Sequence, residues 1–183
     1  RGLGDVYKRQ TTADCMPHLL DKKNVEMLTS HGVYTEVELK SRCEIMLENY
    51  CKTIVIEANT MVDMAKTQIA PAIEAYSADV AKAAAANKVF DSTLACSYET
   101  GVVRRLSALT DGIAEKTEEL ESALLSLDSA EDIETESVMI RDTVLNLMCE
   151  LRLACDEAET VTAKKYWPFP TYGDLLFSVK YQR

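Results

Sequence analysis

From Leu39 to Tyr76 the chain repeats apolar or small residues in steps of three and four: Leu39, Cys43, Met46, Tyr50, Ile54, Ala58, Met61, Ala65, Ile69, Ala72 and Tyr76. A strand would bury every second residue, so only a helix of roughly ten turns lines these positions up on one face. Thr35-Glu36-Val37-Glu38 opens it as a capping box, in which the Thr35 hydroxyl and the Glu38 carboxylate each satisfy the other's backbone amide. The helix is expected to reach about Asn87. Pro71 lacks an amide hydrogen and crowds the carbonyl four residues back, which predicts a bend near Thr67.

Two further long helices follow from the same periodicity. The second carries Leu106, Leu109, Ile113, Thr117, Leu120, Leu124 and Leu127 after a link around Asp91 to Thr93. The third opens at a capping-box-like Ser129 and Asp132 and shows Ile140, Val144, Leu147, Leu151, Ala154, Ala158 and Val161, a heptad spacing. Ahead of all three, Asp21 to His31 reads as a short amphipathic helix stopped by Gly32. With six Gly and four Pro in 183 residues there are few breaks, and short links make successive helices antiparallel. The expected fold is all-α: an elongated up-down-up bundle of three long helices, coiled-coil-like, with a short N-terminal helix and an extended aromatic C-terminal strap. Its parts are residues 11–33 as the short helical segment, 34–165 as the bundle and 166–183 as the tail.

Arg1 to Gln10, RGLGDVYKRQ, fits none of these patterns. It reads as a translated sequencing-adapter remnant, with the biological sequence beginning near Thr11 and the preceding part missing.

The formal charge of −10 is concentrated between Glu115 and Glu159, where only Lys116, Arg141 and Arg152 offset the acids. Phosphate backbones need clustered cations, so nucleic acid is not an expected partner. Six cysteines form no C-x-x-C pair and read as free buried thiols of a reducing compartment. No stretch approaches a membrane span, and no signal peptide opens the chain, which reads as cytoplasmic.

Catalytic groups do not converge. His18 and His31 lack neighbours at metal-ligand spacing, no E-x-x-H pair exists for a di-iron bundle, and no Gly-rich phosphate loop or nucleophile elbow occurs. Glu57 and Asp63 interrupt an apolar stretch and read as a solvated strip. Interaction surfaces are better marked. Val55, Ile56 and Val62 lie off the main stripe, so this part of the helix is apolar on more than one face and calls for a second contact, from a partner or from the chain's own first helix. The run AKKYWPFPTYGDLLF holds the single Trp. There Pro168 is expected to end the third helix near Tyr166, Gly173 to take a positive φ in a turn, and Trp167, Phe169, Tyr172, Leu175 and Phe177 to anchor the tail.

Three stretches resemble the C-terminal region of type III glutamine synthetase: Lys23 to Ala72, Asp142 to Glu159, and Tyr166 to Val179. The resemblance implies a parent enzyme that uses ATP and a divalent metal, Mg or Mn, to phosphorylate glutamate and then displaces phosphate with ammonia. It also implies a large homo-oligomer in which this region packs on its own catalytic domain or on neighbouring subunits. The family's catalytic, nucleotide and metal residues lie upstream, so no catalytic, cofactor or metal residue is assigned here. A free-standing coiled-coil module would explain the heptads equally well but leaves YWPFPTYGDLLF without a reason.

Overall fold

A computed structural model describes residues 11–170 and 172–176, which are helical and contain no strand. The RGLGDVYKRQ leader and Phe177 lie outside the described residues.

The order is α1 (Thr12–Cys15), a 3-10 turn (Met16–Leu20), α2 (Lys22–Ser30), α3 (Glu36–Met64), a π turn (Ala65–Ile69) and α4 (Ala70–Phe90). After a link come α5 (Ser97–Ser126), a 3-10 turn (Leu127–Ser129), α6 (Ile133–Met139), a second π turn (Ile140–Val144), α7 (Leu145–Val161) and α8 (Tyr172–Leu176).

The punctuation follows the side chains. Gly32 ends α2 at φ 65, a conformation open to a residue without Cβ. The Thr35 amide donates to Glu38 Oε2 at 2.7 Å and the Glu38 amide to Thr35 Oγ1 at 3.3 Å, closing the capping box. At α6 only Asp132 caps, accepting from the Thr135 amide at 2.7 Å. Ser129 instead turns its hydroxyl back to the Ser126 carbonyl, because it sits in the 3-10 turn that closes the preceding helix.

Where a bend was expected, near Thr67, lies a π turn, in which the Ala70 amide reaches back five residues to the Ala65 carbonyl. The widened turn accommodates the donor that Pro71 lacks, and the chain stays helical to Phe90. A second π turn, Ile140–Val144, has no proline to announce it.

The buried stripe of the first long helix runs through Leu39, Cys43, Leu47, Cys51, Ala58, Val62, Ala65, Ile69 and Ile73. It departs from the expected one at Met46, which is 51% exposed, and at the half-buried Tyr50, Ile54, Met61, Ala72 and Tyr76. Met46, Tyr50, Met61 and Ala72 are each one member of an apolar doublet, and periodicity cannot choose between adjacent apolar residues. On α5 Ala123 is buried in preference to Leu124, and on α7 the stripe passes through Leu151, Cys155 and Ala158 to Thr162. Leu147, Ala154 and Val161 of the expected stripe are half-buried. Glu57 and Asp63 are exposed.

The contacts divide the chain into two compact units. Unit 1 comprises the described residues up to Thr60 together with Glu119–Met148. Its core holds Leu39, Cys43, Leu120, Ile140 and Val144. Arg141 ties in α1 by donating to Asp14 Oδ1 at 2.6 Å while also binding Asp142 at 2.7 and 2.9 Å, and the Cys43 thiol donates to the Met16 carbonyl at 3.3 Å. Unit 2 comprises Met61–Glu118 and the described residues from Cys149 onward, around Ile73, Leu106, Ile113 and Leu151.

Several carboxyls are held below their ordinary values. Thr11 and then Arg141 act on Asp14, the Thr35 amide on Glu38, the Thr135 amide on Asp132, and Arg141 on Asp142. A carboxylate with a depressed folded pKa adds stability above its unfolded pKa, and that stability is lost as pH falls through the folded value. With ordinary values of 3.8 for Asp and 4.5 for Glu, the melting temperature is expected to hold from neutrality down to about pH 5 and to fall steeply below about pH 4. A flat profile across that acid range would count against these caps and ion pairs as stabilising elements.

Candidate functional site

The described part of the tail builds a hollow in unit 2. α7 ends at Val161, earlier than Pro168 alone would impose, and the chain turns at once, with the Tyr166 amide bonded to the Ala163 carbonyl at 2.8 Å. The early exit lets Tyr166 reach α4. Its ring packs on Tyr76 with centroids 5.2 Å apart, and its hydroxyl donates to Asp79 Oδ2 at 2.6 Å. That bond, with help from Lys82, holds the Asp79 carboxyl below its usual range. Lys165 lies over the Tyr166 ring at 4.8 Å.

Pro168 and Pro170 disfavour helix at Trp167 and Phe169, the residues before them, and Trp167 meets Phe169 edge to face at 6.2 Å. The tail then forms α8 where an extended turn was expected. Gly173 is helical there, and Asp174 in the first turn suits the positive end of the helix dipole. Lys164 binds Asp174 at 2.6 Å, which fastens α8 beside the exit of α7.

Trp167, Phe169 and Pro170 face Met61, Met64, Ile69, Leu151 and Cys155 around a cavity of about 210 Å³. Arg152, Asp156 and Glu159 rim it. Leu151, Cys155 and Glu159 recur every fourth residue on one face of α7, which brings an apolar floor up to a charged lip. Burial pushes the Cys155 thiol up to about 11, so it stays protonated near neutrality and serves as packing. A second, polar cavity of about 530 Å³ shares Trp167, Arg152, Asp156 and Glu159 with the first and adds Thr160, Thr162 and Lys164.

The residues marked in the sequence are not drawn together. Val55 is half-buried and Ile56 is 66% exposed, both in unit 1. Val62 is 8% exposed in unit 2 and belongs to its core. Trp167 and Phe169 are half-buried at the cavity, and Leu175 is 59% exposed. Tyr172 opens α8, with its side chain outside the described set. Sequence reasoning missed Tyr166, Met64, Cys155 and Glu159 as parts of this site. The fourfold spacing along α7 was visible, but nothing local marks which face the tail returns to.

Other candidate chemistry stays dispersed. His18 Nδ1 sits 3.2 Å from Asp21 Oδ2, a carboxylate neighbour at a three-residue spacing that the sequence reading passed over. None of the six cysteines is in a disulfide, and Cys43, Cys51 and Cys155 are buried, but Cys15 and Cys149 are exposed and Cys96 is half-buried. Among the described residues no three His, Cys, Asp or Glu side chains gather to hold a metal ion. No described helix is long and apolar enough to cross a membrane.

The class defined to this point is an all-α domain. Residues 1–88 match the family model described as the glutamine synthetase C-terminal domain. The similarity to whole glutamine synthetases runs on through nearly all the remaining chain. It is 36% identical over 181 residues to a glutamine synthetase of Butyrivibrio fibrisolvens, covering 98% of this chain and 25% of that protein. A type-3 glutamine synthetase of Dictyostelium discoideum is 27% identical over 181 residues, covering 97% of this chain and 24% of its own length. A glutamine synthetase of Bacteroides fragilis (strain YCH46) is 21% identical over 182 residues, covering 97% of this chain and 25% of its own length. The chain spans about a quarter of the length of these curated relatives. The resemblance to the C-terminal region of type III glutamine synthetase read from its motifs therefore holds.

Proposed function

We propose that this chain is the C-terminal helical region of a type III glutamine synthetase, serving the fold and assembly of its parent without an active site of its own. The observation that carries the reading is the 36% identity that runs through 98% of this chain yet only 25% of the Butyrivibrio protein. The parent would join ammonia to glutamate at the expense of ATP, with Mg or Mn, in a cytoplasmic homo-oligomer. The described residues do not fit the metal, since they gather no set of three ligands, and no step of that reaction is routed through them. In this reading the three long helical stretches run up, down and up, and the aromatic tail is a strap sealed within the enzyme's own assembly. The charged lip of the Trp167 cavity and the exposed Ile56 supply surfaces for that role.

The test is direct. Purified chain is expected to be strongly helical by circular dichroism, to bind no ATP in calorimetry, and to form no glutamine from glutamate, ammonia, ATP and Mg. Glutamine formation above the enzyme-free rate would overturn the reading.

A further inference from the structure

Two features of unit 2 stand open, and each fits the other. The first is the hollow beside Trp167, about 210 Å³ over a floor of Met61, Met64 and Leu151. An apolar cavity of about 150 Å³ takes up a benzene ring, so this one has room for an aromatic side chain. Its lip carries Asp156 and Glu159 against a single cation, Arg152, which is already turned to Asp156 at 3.5 Å.

The second is the far end of α4. From Ala81 to Phe90 every residue of that helix except Ala84 is exposed. Val89 and Phe90 are 89% and 90% exposed, more than any other large apolar side chain among the described residues, and Tyr98 across the link is 74% exposed. Apolar groups gathered in water in this way mark a contact surface. The charge is also unlike that of the rest of the chain. Within a total of −10, residues 80–105 hold Lys82, Lys88, Arg104 and Arg105 against only Asp91 and Glu99. Asp91 is occupied locally, accepting from the Thr93 amide at 2.8 Å and the Thr93 hydroxyl at 2.7 Å. A positive apolar knob thus answers an acidic apolar hollow.

The ring cannot come from the same copy. Ile69, at the hollow, precedes α4 and Phe90 ends it, so the 21 residues of that helix hold the two about 30 Å apart. We propose that the Trp167 hollow is the seat of Phe90 from a second copy of this chain, with Lys88 left at the lip opposite Glu159, and that two copies exchange this contact about a twofold axis. Each copy gives one ring and receives one, which closes the pair. The inference rests on the assembly role proposed above and names the surface that performs it.

Sedimentation velocity on the purified chain reads the pair, and the emission of Trp167, the only tryptophan, reads the seat. The chain is expected to sediment as a dimer that dissociates on dilution, with the emission moving to longer wavelength in step. Phe90→Ser is expected to weaken the dimer by about a hundredfold, because two inserted rings are lost at once. It should show the long-wavelength emission at every concentration with its helical signal unchanged. Lys88→Glu is expected to weaken the dimer by about tenfold, and adding Glu159→Lys to restore it. The control Leu125→Ser, 74% exposed and in unit 1, should leave the dimer intact. A chain monomeric at every concentration, a dimer as strong in Phe90→Ser as in the unaltered chain, or emission indifferent to dilution would each overturn the seat. Species that grow past the dimer would overturn the twofold closure. The reading of the chain as a region without an active site fails separately. Glutamine formation would end that reading and leave the seat standing, whereas a helical, inactive monomer would end the seat alone.

Discussion

Val62→Asp is expected to unfold unit 2. The side chain is 8% exposed and lies on the buried stripe between Ala58 and Ala65. An aspartate there must either bury an unpaired carboxylate or bind a proton, at a cost of about several kcal/mol. Domain stabilities are themselves only about 5–15 kcal/mol, so this single change consumes much of the margin. Thermal melting followed by circular dichroism is expected to show a large fall in melting temperature, or no folded baseline. Ile56→Asp, six residues earlier and 66% exposed, is expected to melt like the unaltered chain. The contrast bears on assembly. A loss of oligomer in Val62→Asp would follow from unfolding, whereas in Ile56→Asp or Val55→Asp it would report an interface. Val62→Asp melting within a degree of the unaltered chain would refute the placement of Val62 in the core.

Leu151→Ala is the second large effect. Leu151 is 1% exposed and already borders the 210 Å³ cavity, so truncation joins new empty volume to a hollow that the surrounding helices have not closed. Large-to-small core changes of this kind cost about 2–5 kcal/mol, more where the site cannot collapse. At about 2–4 °C per kcal/mol for a chain of this size, the melting temperature should drop far enough to read without ambiguity. Leu153→Ala, two residues along and exposed, is the matched control. Equal melting of the two variants would mean that α7 does not bury the face assigned to it.

Much of this was legible beforehand because the signals were local. The Thr35–Glu38 box and the Gly32 stop depend on a few neighbouring residues, and both are present in the structure. The choice between Met46 and Leu47, or between Tyr50 and Cys51, was not legible. Either register offers an apolar stripe, and the partner helices decide which one is buried. The exit of α7 at Val161 was missed for a related reason. It is set by Tyr166 reaching Tyr76 and Asp79, 90 and 87 residues back along the chain, and no window around Pro168 contains them. The Trp167 hollow shares that origin. Its aromatic wall could be read from the sequence, but Met61, Met64 and Cys155 opposite it could not.

The division of the chain also sets an order of events during synthesis. The Arg141 side chain closes on Asp14 across 127 residues, and unit 1 needs Glu119–Met148 to complete a core begun before Thr60. Unit 2 in turn waits for residues beyond Cys149. Neither core can therefore close while only the first two long helices have left the ribosome. Closing such distant contacts is slow, and α3 must meanwhile carry an uncovered apolar face. A nascent chain stalled near Glu118 would be the form most exposed to aggregation, and the emergence of the third long helical stretch is the event that ends that exposure.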